Sequence, residues 1–398
     1  MKNFIILLAI VFILFSTCLC TLSKSDRKSR NTKSKKTKGE RTDAKKDEDE
    51  LFLDSYIEPS AVTVESILEE YNIVFSGERK LSSPTLGYVT PWNNHGYDIA
   101  KLCAKKFTHI SPVWLQIRPS DSADGPTCVI TGDHDIDHDW IKDVLAANPN
   151  TQIVPRILFE GWMPENMQNF LYEETWQSRC LRVVTSFLKR NEMHGAVIEI
   201  WLQAFSLTAG RMKMETIELL NSWAKAFHSY DMEFIIAVPP AVDSKGQIMA
   251  VFTPVDFVAL VDEVDYIHIM TYDYRSTARF EGIAPISWVR SNLEVLLKES
   301  PVSATKLLMG LNFYGYEVKQ NGLDAVTGDR FIELISQKNA NLKWDPVAFE
   351  HFVSVNNRLC FYPSLSSLSV RINLASRLNV GIAIWDIGQG LNYFTELL

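Results

Sequence analysis

The chain is short of several features that would point to familiar functions. It has six cysteines in 398 residues, at Cys18, Cys20, Cys103, Cys128, Cys180 and Cys360, and beyond the first twenty residues none has the close spacing of a zinc site. No Asn-x-Ser/Thr sequon occurs anywhere. No Gly-rich phosphate loop follows a strand-like run, which argues against a dinucleotide fold. After residue 23 no uncharged apolar run is long enough to span a bilayer. Positive charge is scarce in the body: residues 51–398 carry 28 Lys/Arg against 41 Asp/Glu, a net of about −13 before histidines, which excludes nucleic acid as the main partner. No cofactor or metal is expected.

Two terminal segments stand apart from that acidic body. Lys2 followed by an apolar run from Phe4 to Phe15 and then Ser16, Thr17 and Cys18 reads as a signal peptide over 1–22, with an uncleaved anchor as the alternative. Residues 23–50 form a polar arm. Its stretch from Lys24 to Lys46 holds eleven Lys/Arg against three acids and nothing apolar larger than Ala44, so it is expected to be disordered. Membrane contact is expected only through this arm or an uncleaved leader. Export makes disulfides possible, and the four remaining cysteines allow three complete pairings.

Residues 51–80 are predicted to be a helical lead-in, with a short helix over 62–71, and 81–398 a single domain. In that domain eight short runs rich in β-branched and aromatic residues alternate with helical periodicities: 85–89, 107–115, 152–159, 195–201, 233–238, 264–271, 306–312 and 381–385. Eight such repeats over about 310 residues predict an α/β fold, a (β/α)₈ TIM barrel. The longest gap lies between strands seven and eight. Its two strand-like runs, 349–355 and 358–362, predict a small hairpin insertion on the rim.

Active sites in such barrels form at the C-terminal strand ends. Here those ends carry Trp92, Trp114, Trp162, Trp201, Tyr272, Tyr314 and Trp385, with Glu160, Glu199, Asp273 and Asn312 among them. Flat aromatic faces suit the C–H faces of sugars, and the polar groups suit their hydroxyls. The pattern favours an oligosaccharide groove. The Gly388-Gln389-Gly390 turn is a weak match to a barrel phosphate site.

Leu86-Gly87-Tyr88-Val89-Thr90-Pro91-Trp92-Asn93, the run 107–116, Met270-Thr271-Tyr272-Asp273 and Gly381-Ile382-Ala383-Ile384-Trp385 resemble family 18 of the glycoside hydrolases, in a chitinase-like branch. That resemblance implies a secreted or lysosomal protein. It also implies a GlcNAc-type glycan as ligand and a scavenger receptor of the stabilin type as a possible partner. The implied carbohydrate contacts are Tyr88, Trp114, Glu199, Trp201, Met270, Tyr272, Asp273, Asn312 and Trp385. Active members carry Asp-Gly-x-Asp-x-Asp-x-Glu on strand four, whose Glu protonates the glycosidic oxygen. The aligned run here is His194-Gly195-Ala196-Val197-Ile198-Glu199-Ile200-Trp201. By strand alternation Val197, Glu199 and Trp201 should face the interior, where the family has Asp, Asp and Glu. An indole cannot act as the acid, and losing a general acid costs roughly 10²–10⁴ in rate. Glu199 is expected to bond Asp273 or Tyr272, or to pair with Arg156. The expected function is a lectin without glycosidase activity. Altered chemistry through Glu199, Asp273 or Glu160, and a protein-interaction scaffold, are the alternatives.

Overall fold

The computed structural model describes residues 56–275, 280–319 and 322–398. The leader, the basic arm and residues 51–55 of the lead-in lie outside the described residues. Sixteen strands are present in the described residues: β1 (Thr85–Val89), β2 (His109–Pro112), β3 (Leu115–Ser122), β4 (Gly125–Thr131), β5 (Gln152–Ile153), β6 (Arg156–Phe159), β7 (Gly195–Glu199), β8 (Glu233–Val238), β9 (Tyr266–Ile269), β10 (Leu307–Asn312), β11 (Gly315–Lys319), β12 (Gly322–Val326), β13 (Asn341–Asp345), β14 (Glu350–Val355), β15 (Arg358–Phe361) and β16 (Gly381–Trp385).

Parallel pairing closes a ring of eight positions. It runs β1 to β2, β2 to β5, β3 to β6, then β6 through β7, β8, β9, β10 and β16 back to β1. The ring's second position is shared by β2 and β3, and its third by β5 and β6. Between them the register slips. From Ile110 to Leu115 on one side there is one residue more than from Ile153 to Ile157 on the other. That extra residue is a bulge at Val113–Trp114, and it reverses which of the two faces inward. This is the (β/α)₈ barrel the alternation predicts.

Three features of the fold were not predicted. First, β3 continues out of the barrel and turns back as β4, an antiparallel hairpin. Cys128 on β4 is disulfide-bonded to Cys180 on the helix Glu174–Arg190, with Cα atoms 5.0 Å apart, while Cys103 and Cys360 are buried free thiols. Second, the rim insertion is larger than a hairpin. The two expected runs are β14 and β15, but they belong to a five-stranded antiparallel sheet in the order β12-β11-β15-β14-β13, packed on the helix Gly328–Ile335. The outer strands β12 and β13 escaped notice because they are half-exposed and poor in β-branched residues.

Third, the helix Leu365–Arg377 is buried on all sides from Leu365 to Ala375, including Ser366, Ser369, Arg371 and Asn373. The lead-in packs against the same core with Tyr56, Ile57, Val64 and Leu68, around its helix Val64–Glu70. Ile57 N donates to Ser369 Oγ at 3.3 Å, and Phe75 N donates to Thr395 Oγ1 at 2.9 Å. The lead-in is therefore part of the domain's core.

Candidate functional site

Strand alternation puts one file of each strand inside the ring. Leu86, Tyr88, Val113, Val154, Val197, Ile235, Ala237, Leu308 and Ala383 form an interior cluster, with Trp92, Tyr266 and Trp385 packed on it. Two polar pairs interrupt this apolar file. Arg156 Nε donates to Glu199 Oε2 at 2.6 Å, with side chains only 11% and 17% exposed. The Tyr88 hydroxyl lies 2.8 Å from His268 Nδ1. Burial, with a smaller contribution from Arg156, pushes the His268 imidazole down to about 3, while burial raises Tyr88. The imidazole is therefore held neutral, and it shares one hydrogen bond with the Tyr88 hydroxyl through Nδ1.

Above this layer the mouth is aromatic. Trp385 sits 5.1 Å from Tyr88 between ring centroids, and the Arg156 guanidinium carbon lies 5.4 Å from the Trp385 centroid. Tyr272 packs between His268 and Tyr314 at 6.1 and 6.3 Å. Gly310 makes room for it, since a Cβ there would lie 2.8 Å from the Tyr272 ring. Asp273 adopts a left-handed backbone with φ 59°, and its Oδ1 accepts hydrogen bonds from both Tyr314 and Tyr316 hydroxyls at 2.6 Å. Two phenols from the far side of β10 thus hold an unfavourable backbone in place. Arg275 stacks over Tyr316 at 5.3 Å. Glu350, buried on β14, accepts from the N–H groups of Ile283 and Ala284 at 2.8 Å and pairs with buried Arg371 at 3.0 Å. The rim sheet therefore anchors the chain that follows the sixth barrel position.

The sequence-derived candidates divide sharply. Tyr88, Glu199, Tyr272, Asp273 and Trp385 converge on the interior and mouth. Met270 is partly exposed at the end of β9, and Asn312 is buried, donating from Nδ2 to the Tyr314 carbonyl at 2.9 Å. Val197 faces inward as expected. Trp201 does not. The β7 strand ends at Glu199, Ile200 turns with ψ −27°, and Trp201 opens the helix Trp201–Leu207. Its indole is 2% exposed in the layer between barrel and helices, donates to the Val251 carbonyl at 2.8 Å and packs edge-on against Phe252. Strand alternation cannot be extended past the strand's last residue.

Trp114 is displaced for a related reason. The β2–β3 bulge turns Val113 inward and Trp114 outward, where it is fully buried and donates to the Tyr97 hydroxyl at 2.6 Å. Trp162 is likewise core, donating to the Ile117 carbonyl. The expected ring of five strand-end tryptophans reduces to Trp92 and Trp385 at the mouth. Of the options for Glu199, the structure takes Arg156, since Asp273 is engaged by the rim tyrosines. In the Gly388-Gln389-Gly390 turn the N–H groups of Gly388 and Gln389 do not face a phosphate, because both donate to Asp386 Oδ1. His268 and Tyr316 were not anticipated. His268 lies two residues before Met270 on the same strand face, so the two-residue period held a signal for it. Tyr316 reaches Asp273 only through the rim sheet.

The sequence signature of the glycosyl hydrolases family 18 matches residues 84–390. The chain belongs to that family. It is similar to the cortical fragment-lytic enzyme of Bacillus subtilis (strain 168), 28% identical over 184 residues, which are 43% of this chain and 42% of that enzyme. The chain thus matches less than half the length of that relative. The family 18 fold recurs in a chitinase from Chromobacterium violaceum (TM-score 0.64, 17% identity, 79% of this chain and 98% of that one). It recurs also in the class V chitinase of Nicotiana tobaccum (TM-score 0.65, 15% identity, 79% and 97%). At these identities the likeness is one of fold.

Proposed function

We propose that this family 18 chain binds a GlcNAc-type oligosaccharide at the barrel mouth and does not hydrolyse it. The observation that carries this reading is Trp201. At the position where the family motif places its proton donor, the side chain is an indole turned away from the mouth and hydrogen-bonded to a carbonyl. A general acid must come within about 3 Å of the oxygen it protonates. Glu199, two residues earlier, is bound to Arg156 inside the ring.

The binding half of the proposal rests on Trp385, Tyr272 and Asp273, which keep the aromatic face and polar wall a sugar would use. A mutant of the tobacco chitinase, a neighbour in fold, has been solved in complex with NAG4. The Cys128–Cys180 disulfide supports export to an oxidising compartment. The chitinase-like branch of the family, and the stabilin-type receptor it implies, rest on sequence resemblance alone.

The test is titration calorimetry with chito-oligosaccharides beside a turnover assay on the same preparation. Binding without turnover is expected. Turnover that disappears in Glu199→Gln overturns the proposal.

A further inference from the structure

Trp92 and Trp385 stand on two loops that share one buried carboxyl. β1 ends at Val89, and Thr90-Pro91-Trp92-Asn93 forms a turn closed by the Asn93 N–H, which donates to the Thr90 carbonyl at 3.0 Å. β16 ends at Trp385, and the next residue, Asp386, caps the turn Ile387–Gln389. The two loops are in direct contact. A Cβ on Gly388 would lie 2.5 Å from Gly96 N and 2.7 Å from Asn93 Nδ2, so only glycine permits this approach.

Across that contact Thr90 Oγ1 donates to Asp386 Oδ2 at 3.1 Å, while Asp386 Oδ1 accepts from the N–H groups of Gly388 and Gln389. Thr90 and Asp386 are both fully buried. Trp92 lies two residues after one partner and Trp385 one residue before the other, so this single bond joins the loops that carry the two indoles. The donors also locate the acid's proton. Two N–H groups occupy Oδ1, so the proton belongs on Oδ2, facing Thr90. The Thr90 hydroxyl serves either form, accepting from the acid or donating to the carboxylate. A distance of 3.1 Å is long for O–H···O, whereas the charge-assisted bond runs roughly 2.5–2.7 Å. Ionisation therefore draws the loops together by a few tenths of an ångström.

We propose that Asp386 is a positioning residue of the mouth: through Thr90 it sets the separation of Trp92 and Trp385, and its protonation changes that separation. Burial pushes the carboxyl up to about 7, so the change falls near neutral pH. The ionisable groups on the elements packed around it are His95 beside the first loop, Asp329 on the helix Gly328–Ile335, and Tyr362, whose phenol burial raises well above its ordinary value. Among the described residues no cation pairs with Asp386. His268, deeper in the barrel, is lowered to about 3 and does not titrate in this range. The consequence for ligand binding rests on the reading of the mouth as an oligosaccharide site. A sugar stacked on Trp385 takes water away from beside the carboxyl, which disfavours its charged form further. Affinity then falls as pH rises through 7, and binding takes up a proton.

The test is fluorine NMR of the full chain labelled with 5-fluorotryptophan, with the two signals assigned by Trp92→Phe and Trp385→Phe. Both should titrate with one midpoint near pH 7, unchanged in His95→Gln and absent in Asp386→Asn. In Thr90→Val the Trp92 signal should stop titrating while that of Trp385 continues, and Thr90→Ser should restore it. A charge felt only through space would still move the Trp92 signal in Thr90→Val, and that result overturns the proposal. So do signals that are flat from pH 5.5 to 8.5, or a midpoint that persists in Asp386→Asn. Calorimetry with chitotetraose should show affinity at least about threefold weaker at pH 8 than at pH 6, a difference lost in Asp386→Asn. Absence of chitotetraose binding at every pH, with both ring titrations intact, sinks the reading of the mouth and upholds the role of Asp386.

Discussion

Arg156 and Glu199, 43 residues apart in sequence, meet across the neighbouring strands β6 and β7 through a 2.6 Å bond beneath the face of Trp385. The pair occupies the interior level where active family members carry catalytic carboxylates, and it ties a charge to the platform of the mouth. Removing Arg156 leaves the largely buried Glu199 carboxylate without this partner. Arg156→Met should therefore destabilise the fold by about 3–5 kcal/mol, and Arg156→Met/Glu199→Leu should recover much of that loss. Urea denaturation of the single and double variants measures both.

Trp385→Ala should leave the barrel folded, because the indole is only partly buried and makes no protein hydrogen bond among those described. Loss of the stacking face should weaken chito-oligosaccharide binding by roughly tenfold, about 1.4 kcal/mol. Calorimetric titration beside a circular-dichroism melt separates binding from folding.

Restoring the family's acid should not restore hydrolysis. In Trp201→Glu the new carboxyl would lie against Phe252 and the Val251 carbonyl, not in the mouth. The expected result is no turnover of labelled chito-oligosaccharides and a loss of stability of at least about 3–5 kcal/mol, the usual cost of deleting a buried tryptophan. Turnover in this variant would show that the helix beginning at Trp201 can unwind toward the mouth.

Asp386, directly after Trp385, has no exposed surface and accepts only neutral donors: Thr90 Oγ1 at 3.1 Å and the N–H groups of Gly388 and Gln389 at 2.9 and 3.1 Å. Burial pushes its carboxyl up to about 7, and these hydrogen bonds only partly offset that rise. Between pH 4 and 7 the folded state keeps a proton that the unfolded state has released. This group's contribution is therefore fullest below about pH 4 and declines through pH 7, by up to about 1.4 kcal/mol per unit. Asp386→Asn keeps the shape and can still accept from both N–H groups. Relative to the unaltered protein it should gain stability from pH 5 to pH 8, seen in melts across that range.

Cys128–Cys180 closes a separation of 52 residues and pins the β3–β4 hairpin to the helix behind it. Loop-closure entropy predicts that Cys128→Ser/Cys180→Ser costs about 4 kcal/mol. The readout is the denaturation midpoint, compared with that of the native protein under non-reducing conditions; the two should coincide once the native disulfide is reduced.

The barrel was legible in the sequence because each of its strands is a local event. Thr85–Val89, Glu233–Val238 and Gly381–Trp385 form where β-branched and apolar runs end at polar, Gly or Pro residues. The departure from the family's acidic motif was legible too, since it depends only on which residues stand at 194–201. What the sequence could not decide was direction. A one-residue bulge at Val113–Trp114 and a strand that stops at Glu199 turn two tryptophans out of the mouth, and neither event leaves a pattern in residue types. The rim sheet's hold on Asp273 through Tyr314 and Tyr316, and the choice of Cys128 with Cys180, join residues about 40 or more positions apart. Composition and alternation determined that aromatic side chains would gather at the barrel's C-terminal strand ends. Packing in three dimensions decided which side chains line the mouth, because the side-chain period holds only while a strand stays regular.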